Sequence, residues 1–171
     1  MIFGLGKEQA GTAEGIVLVT IKGSTIIPSA RYRDAHAAIE WLCRVFGFTR
    51  QAVYDGPDNT VAHAQLTLGG GMFMLGSESN GGDFASNMTT LAATAGRETI
   101  GLCVIVEDCE AAFARALAAG AEIVQPLQSP EYGGQAFACR DLEGHIWWVG
   151  SYNPWGDGAG LQKVEADSLR E

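Results

Sequence analysis

Histidine is scarce in this chain, with three among 171 residues, and neither His36 nor His145 has a second ligand-type side chain at metal-binding spacing. Cysteine is nearly as sparse. Cys43, Cys103, Cys109 and Cys139 form no C-x-x-C pair, which removes zinc-ribbon and dithiol motifs and leaves free thiols in apolar runs as the reading. No stretch approaches the roughly 18 apolar residues of a membrane-spanning helix, and the opening residues lack the basic start of a secretory leader. A cytoplasmic protein is therefore expected. Basic side chains number 11 against 20 acidic ones, a net charge of −9, so nucleic acid and anionic membranes are poor partners and a cationic ligand is favoured.

What is abundant is glycine, at 23 residues, beside 47% apolar and only 18% charged side chains. That is the make-up of one compact unit with many tight turns between short strands. The chain also repeats itself. YRDAHAAI (32–39) aligns with VEDCEAAF (106–113), placing Asp34, Ala37 and Ala38 opposite Asp108, Ala111 and Ala112 at an offset of 74. The same offset carries MFMLGS (72–77) onto IWWVGS (146–151) and Thr25-Ile26 onto Thr99-Ile100, whereas Gly47 and Gly120 depart from it by one residue. An internal duplication with a small indel accounts for this.

Each half reads βαβββ. A strand (25–33, then 99–107) meets an Asp suited to N-cap a helix, whose apolar stripe is Ile39, Leu42, Cys43 and Phe46 in the first half and Phe113, Ala116 and Leu117 in the second. Glycine closes each helix at Gly47 and Gly120, and strands follow at 49–54, 60–68 and 72–77, then at 121–125, 135–140 and 145–152. DGPDN, LGGG and DLEG are turns, and Gly69-Gly70-Gly71 is a hairpin rather than a phosphate loop because no helix follows it. The expected organisation is an extension at 1–23, a first module at 24–77, a linker at 78–98, a second module at 99–155 and a tail at 156–171. Within the extension, IVLVTI (16–21) reads as an added edge strand. The polar linker reads as mobile or as a lid over a site, and the tail as frayed.

The duplicated unit, with the phrases RYRDAHAAIEWLCRVFGF, VAHAQLTLGGGMFMLGS and RDLEGHIWWVGSYNPW, resembles the glyoxalase/bleomycin-resistance/dihydroxybiphenyl-dioxygenase group, the vicinal oxygen chelate superfamily. Within it the chain looks most like the PhnB-like branch. The resemblance covers residues 24–155 and implies an α+β fold in which tandem βαβββ modules form an eight-stranded incomplete barrel around a cavity, with a homodimer as the usual assembly. Metal-dependent members place one ligand near the start of each module's first strand and one in its last strand, in the phrases H-x-A-F-x-V-x-D and D-P-D-G-H-x-x-E. Carried over residue by residue, those positions are Ile27, Met74, Gly101 and Trp148. None offers imidazole or carboxylate, and a lone thioether does not hold zinc, iron or manganese, so no metal and no other cofactor is expected. Glyoxalase or dioxygenase chemistry through a metal is correspondingly not expected.

Strand alternation then sorts the remaining candidates. Trp148 shares the cavity face with Ile146 and Gly150, while Trp147 and Val149 face the helices, so one indole offers a flat π-surface and the other packs. In VAHAQLTL the set Ala62, Ala64, Leu66 and Leu68 belongs against the helices, leaving His63 as a candidate general base and Gln65 as a hydrogen-bonding anchor. His63 reads equally as a solvated or strand-bonded histidine. Ser29 and Arg31 share parity with Ile27; Arg31 either meets a carboxylate or carbonyl of a ligand or ends the strand in a salt bridge. Met74 suits an adaptable wall, and Cys103 and Tyr132 complete the ligand-binding candidates, with Tyr152 and Trp155 at the rim. Three readings follow: a metal-free protein that binds a planar or cationic small molecule, a metal-independent lyase or isomerase using His63, and a scaffold whose cavity is filled by its own side chains.

Overall fold

The structure, a computed structural model, describes residues 23–78 and 85–156. The elements run β1 (Ser29–Tyr32), α1 (Ala35–Phe46), β2 (Thr49–Asp55), β3 (Val61–Leu68), β4 (Gly71–Ser77), β5 (Leu102–Ile105), α2 (Cys109–Ala118), β6 (Glu122–Gln128), β7 (Ala136–Arg140) and β8 (Ile146–Gly150). The fold is α+β with paired βαβββ modules, as the pattern of strands and helices predicts. Residues 16–21 and most of the tail, from 157 onward, lie outside the described residues.

Both modules are built on the same local chemistry. The Asp34 carboxylate accepts from Ala37 N at 3.0 Å and that of Asp108 from Ala111 N at 2.8 Å, so each helix start has one of its unpaired backbone donors satisfied. Each sheet then has the same strand order, β1-β4-β3-β2 and β5-β8-β7-β6, with the first and last strands of a module parallel. Ser29 sits opposite Met74 and Cys103 opposite Trp148, a register conserved at the offset of 74. The middle of the module is shifted by one residue instead: Ala64 pairs with Leu75, whereas Phe137 pairs with Val149. The offset thus falls to 73 between the start and the end of the helix, from Asp34/Asp108 to Gly47/Gly120, and returns to 74 in the turn between the third and fourth strands.

The helix-facing sides of the two sheets share one core. Trp147, 1% exposed, lies 5.3, 6.2 and 5.1 Å (ring centroids) from Phe46, Phe48 and Phe73 of the other module. The helices are tied across the same layer. Trp41 Nε1 donates to Ala119 O at 3.1 Å and Arg115 Nε to Val45 O at 2.8 Å. A buried carboxylate closes the seam: Asp141 Oδ2 accepts from Tyr32 OH at 2.7 Å and Trp147 Nε1 at 3.0 Å, while Oδ1 accepts from Glu143 N and His145 N. Glu143 in turn receives Arg33 N and Asp34 N, which fastens the start of α1 to the β7–β8 turn.

In keeping with the expected incomplete barrel, no closed barrel forms: the two sheets are separate, and since their helix sides meet in the shared core, their other faces look outward. Several local expectations need correction. Ala62 is exposed instead of packed, because β3 carries an extra residue opposite the Tyr54–Asp55 step and Val61 takes the core position. Leu117 is exposed, leaving Cys109, Ala112 and Ala116 as the buried stripe of α2. The described part of the linker, 85–98, is not loose. It makes two short 3₁₀ turns, buries Thr90 and Leu91, and ends with Glu98 bonded to His145 Nδ1 at 2.6 Å and to Ile146 N at 2.9 Å.

Candidate functional site

Alternation along β5, β7 and β8 puts Cys103, Ile105, Ala136, Trp148 and Gly150 on one outward sheet face. Trp148 is 38% exposed there, so the two adjacent indoles of the strand do divide between surface and core. A concavity of about 400 Å³ forms over it, rimmed by Tyr132, Gln135, Tyr152 and Pro154. The rim is braced. Tyr132 and Tyr152 rings meet edge-on at 5.3 Å, and a Cβ on Gly134 would stand 2.8 Å from Tyr152 N, so the loop passes the β8 end as closely as only glycine permits. Gln135 donates from its side chain to Glu110 and from its backbone to Ser151 Oγ.

The equivalent face of the first module has different chemistry. The register pairs Arg31 with Gly76 and His63 with Tyr54, and places Ser29, Met74 and Gln65 in one row. His63 is half-buried, stacks on Tyr54 at 6.2 Å and has its Nε2 3.2 Å from Gln65 Nε2. Ile27 lines a second concavity of about 420 Å³ at the open end of this sheet, together with Gln51, Thr67, Met72 and the Gly69–Gly71 hairpin. Arg31 ends no salt bridge among the described residues.

The residues singled out from sequence therefore fall into two groups that one chain does not bring together. Ile27, Ser29, Arg31, His63, Gln65 and Met74 share the first face; Cys103, Tyr132 and Trp148 share the second. Ile105, Gln135 and Ala136 were missed by the sequence reading. Ile105 follows from the parity of Cys103, whereas the rim depends on how a glycine-rich loop folds back and left no periodic signal. Of the other histidines, His36 is solvated 3.9 Å from Asp55, and His145 is buried with both ring nitrogens engaged, by Glu98 and by Arg31 O, so it has no free nitrogen to offer a ligand.

A metal would have to be held by Ile27, Met74, Gly101 and Trp148 or by some other cluster. The four positions supply one thioether and no oxygen or imidazole donor, and among the described residues no three His, Cys, Asp or Glu side chains converge. These residues do not fit the ion. No helix among the described residues is long and apolar enough to cross a membrane.

The sequence profile of the Glyoxalase/Bleomycin resistance protein/Dioxygenase superfamily matches residues 26–149. Uncharacterized protein Mb0911c of Mycobacterium bovis is 30% identical over 117 residues, covering 68% of this chain and 76% of that one. TioX from Micromonospora sp. ML1 is similar in structure, with a TM-score of 0.57 at 33% identity over 77% of this chain and all of that one. Fosfomycin resistance protein FosX from Mesorhizobium loti shares the fold alone, with a TM-score of 0.53 at 16% identity over 79% and 96% of the two chains. Profile, relatives and fold agree, and the chain belongs to the Glyoxalase/Bleomycin resistance protein/Dioxygenase superfamily.

Proposed function

We propose that this protein, a member of the superfamily's PhnB-like branch, works without a metal and sequesters a small planar molecule against Trp148, in a cleft completed by a second copy of the chain. The observation that carries this is Trp148 itself: a large indole left 38% exposed at a position where metal-dependent relatives of the fold carry a ligand, surrounded by Cys103, Ile105, Ala136 and Gly150 and rimmed by two tyrosines. An apolar floor with polar groups only at its edge suits stacking of a flat ligand, and about 400 Å³ lies within the size range of small-molecule sites.

The outward direction of the two faces supports a homodimer. Each face is half of a cleft, and a second copy supplies the opposite module that one chain turns away from. Tyr54, Ile105, Tyr132 and Trp148 are exposed apolar groups on or beside these faces, and dimerisation would cover them. The test is a titration of the purified protein with planar aromatic compounds, read by melting temperature and tryptophan fluorescence, beside sedimentation to define the assembly. A ligand bound at 100 times its Kd stabilises by about 2.7 kcal/mol, and Trp148→Ala abolishes that gain while the fold persists. A confirmed ligand whose affinity survives Trp148→Ala overturns the reading, as does a monomer at all accessible concentrations.

A second reading has one observation in its favour: His63, Gln65 and Arg31 do share one face. A lyase or isomerase would use His63 as general base with Arg31 or Gln65 polarising a carbonyl. Turnover that resists chelators and disappears in His63→Ala supports it over sequestration.

A further inference from the structure

Arg31 is the one charged side chain on either concave face without an acidic partner among the described residues. On the second face, Arg140 lies 4.0 Å from Glu122 and donates to Gly144 O, whereas Arg31 donates only to Ser77 O, from Nη1 at 3.4 Å. Its Nε is buried with no hydrogen-bond partner. A planar group with five donors thus makes one long bond, which leaves most of its capacity unspent in a partly buried setting where unmet donors are costly.

The sheet beneath is shaped for it. Gly76 is the residue opposite Arg31 in the register, and a Cβ there would stand 2.7 Å from Arg31 Nη1 and 3.0 Å from Ala62 O. The guanidinium therefore lies across β4 over a position that glycine leaves free, on the side where the β3 backbone at Ala62 also comes close. The offset of 74 gives the second module Ile105 and Gly150 at the same two places, so the internal symmetry supplies one cationic half and one apolar half.

From these observations we infer that the planar ligand carries an anionic group, a carboxylate conjugated to its ring system, which Arg31 of one copy pairs with while Trp148 of the other stacks on the ring. This rests on the cleft reading given above and narrows its ligand class: the net charge of −9 favours a cation at long range, but among the described residues the unpaired charge at the site is positive. A fork of parallel N–H donors meets both oxygens of a carboxylate, which a neutral or cationic substituent does not offer.

Three probes of one shape separate the possibilities: 2-naphthoate, neutral 2-naphthylmethanol and cationic 2-naphthylmethylammonium, titrated calorimetrically into the full-length protein. The expected order is carboxylate first, by about tenfold over the alcohol, with the ammonium weakest. Arg31→Gln removes the preference, bringing the carboxylate down to the affinity of the alcohol, and Arg31→Lys keeps part of it; Gly76→Ala, which displaces the guanidinium without deleting it, narrows the gap between carboxylate and alcohol. Equal affinity for carboxylate and alcohol, or a preference that survives Arg31→Gln in a protein with unaltered circular dichroism, overturns the anion inference while the aromatic cleft stands. Binding of none of the three overturns both.

Discussion

Removing the Tyr32 hydroxyl tests how the modules are joined. In Tyr32→Phe the ring stays in its buried site and one contact disappears, the 2.7 Å bond to Asp141 Oδ2. Asp141 keeps Trp147 Nε1, Glu143 N and His145 N, so the carboxylate is not stranded and the loss is that of a single hydrogen bond to a charged acceptor, about 2 kcal/mol. For a chain of this length that corresponds to a fall in melting temperature of about 4–8 °C. Urea denaturation at neutral pH, at one fixed protein concentration so that association does not intrude, measures it with an m value equal to that of the parent. A double-mutant cycle with Asp141→Asn assigns the energy to the pair. A loss below about 0.5 kcal/mol, or additive effects in the cycle, refutes the claim that Asp141 locks the seam between the halves.

At alkaline pH the same region sets a limit. Burial, reinforced by the charge of Asp141, pushes the Cys139 thiol from 9.0 up to about 12 and the Tyr32 phenol well above 10.0. Both groups keep their protons longer when folded, so this stability is fully present below pH 9 and is lost from pH 9 to 12 for Cys139 and from pH 10 upward for Tyr32, at about 1.4 kcal/mol per unit for each. Cys139→Ala lowers the measured slope by one proton over the first window, and an unchanged slope refutes the assignment. Leu91→Ala costs about 2–3 kcal/mol because Leu91 Cδ2 packs over Gly144, whereas a loosely draped linker would lose less than about 0.5. Gly134→Ala destabilises the rim by about 1–3 kcal/mol, since φ is +69° and the Cβ would press on the Tyr152 backbone; a neutral result in chemical denaturation would show that the loop moves freely.

The fold was legible because its signals are local and doubled. Asp34 and Asp108 cap as their positions require, and Trp147 and Trp148 separate by alternation alone. Errors arose where a single residue changes the count. The extra residue in β3 moves Ala62 out of the core, and Leu117 falls outside the buried stripe of Cys109, Ala112 and Ala116 on α2. The site was half legible. Parity puts Arg31, His63 and Gln65 on one face of the first sheet and Trp148 on one face of the second, as the strand register does, but parity has no information on how two sheets are oriented. That is decided by Phe46, Phe48 and Phe73 closing on Trp147, a long-range contact with no periodic trace.

Because the two halves are welded back to back, the hidden sides of the molecule answer to a different constraint from the outer ones. Leu75 and Val149, or Asp34 and Asp108, must still satisfy a common interior and a common helix start, and they have kept their kinship. Ser29 and Cys103, Arg31 and Ile105, or Met74 and Trp148 lie on the outer sheet faces, away from the shared core of the described residues, and each pair has drifted into unlike chemistry. A doubled ancestor with two identical half-clefts could in this way acquire one gripping surface and one greasy surface without disturbing a single buried methyl group.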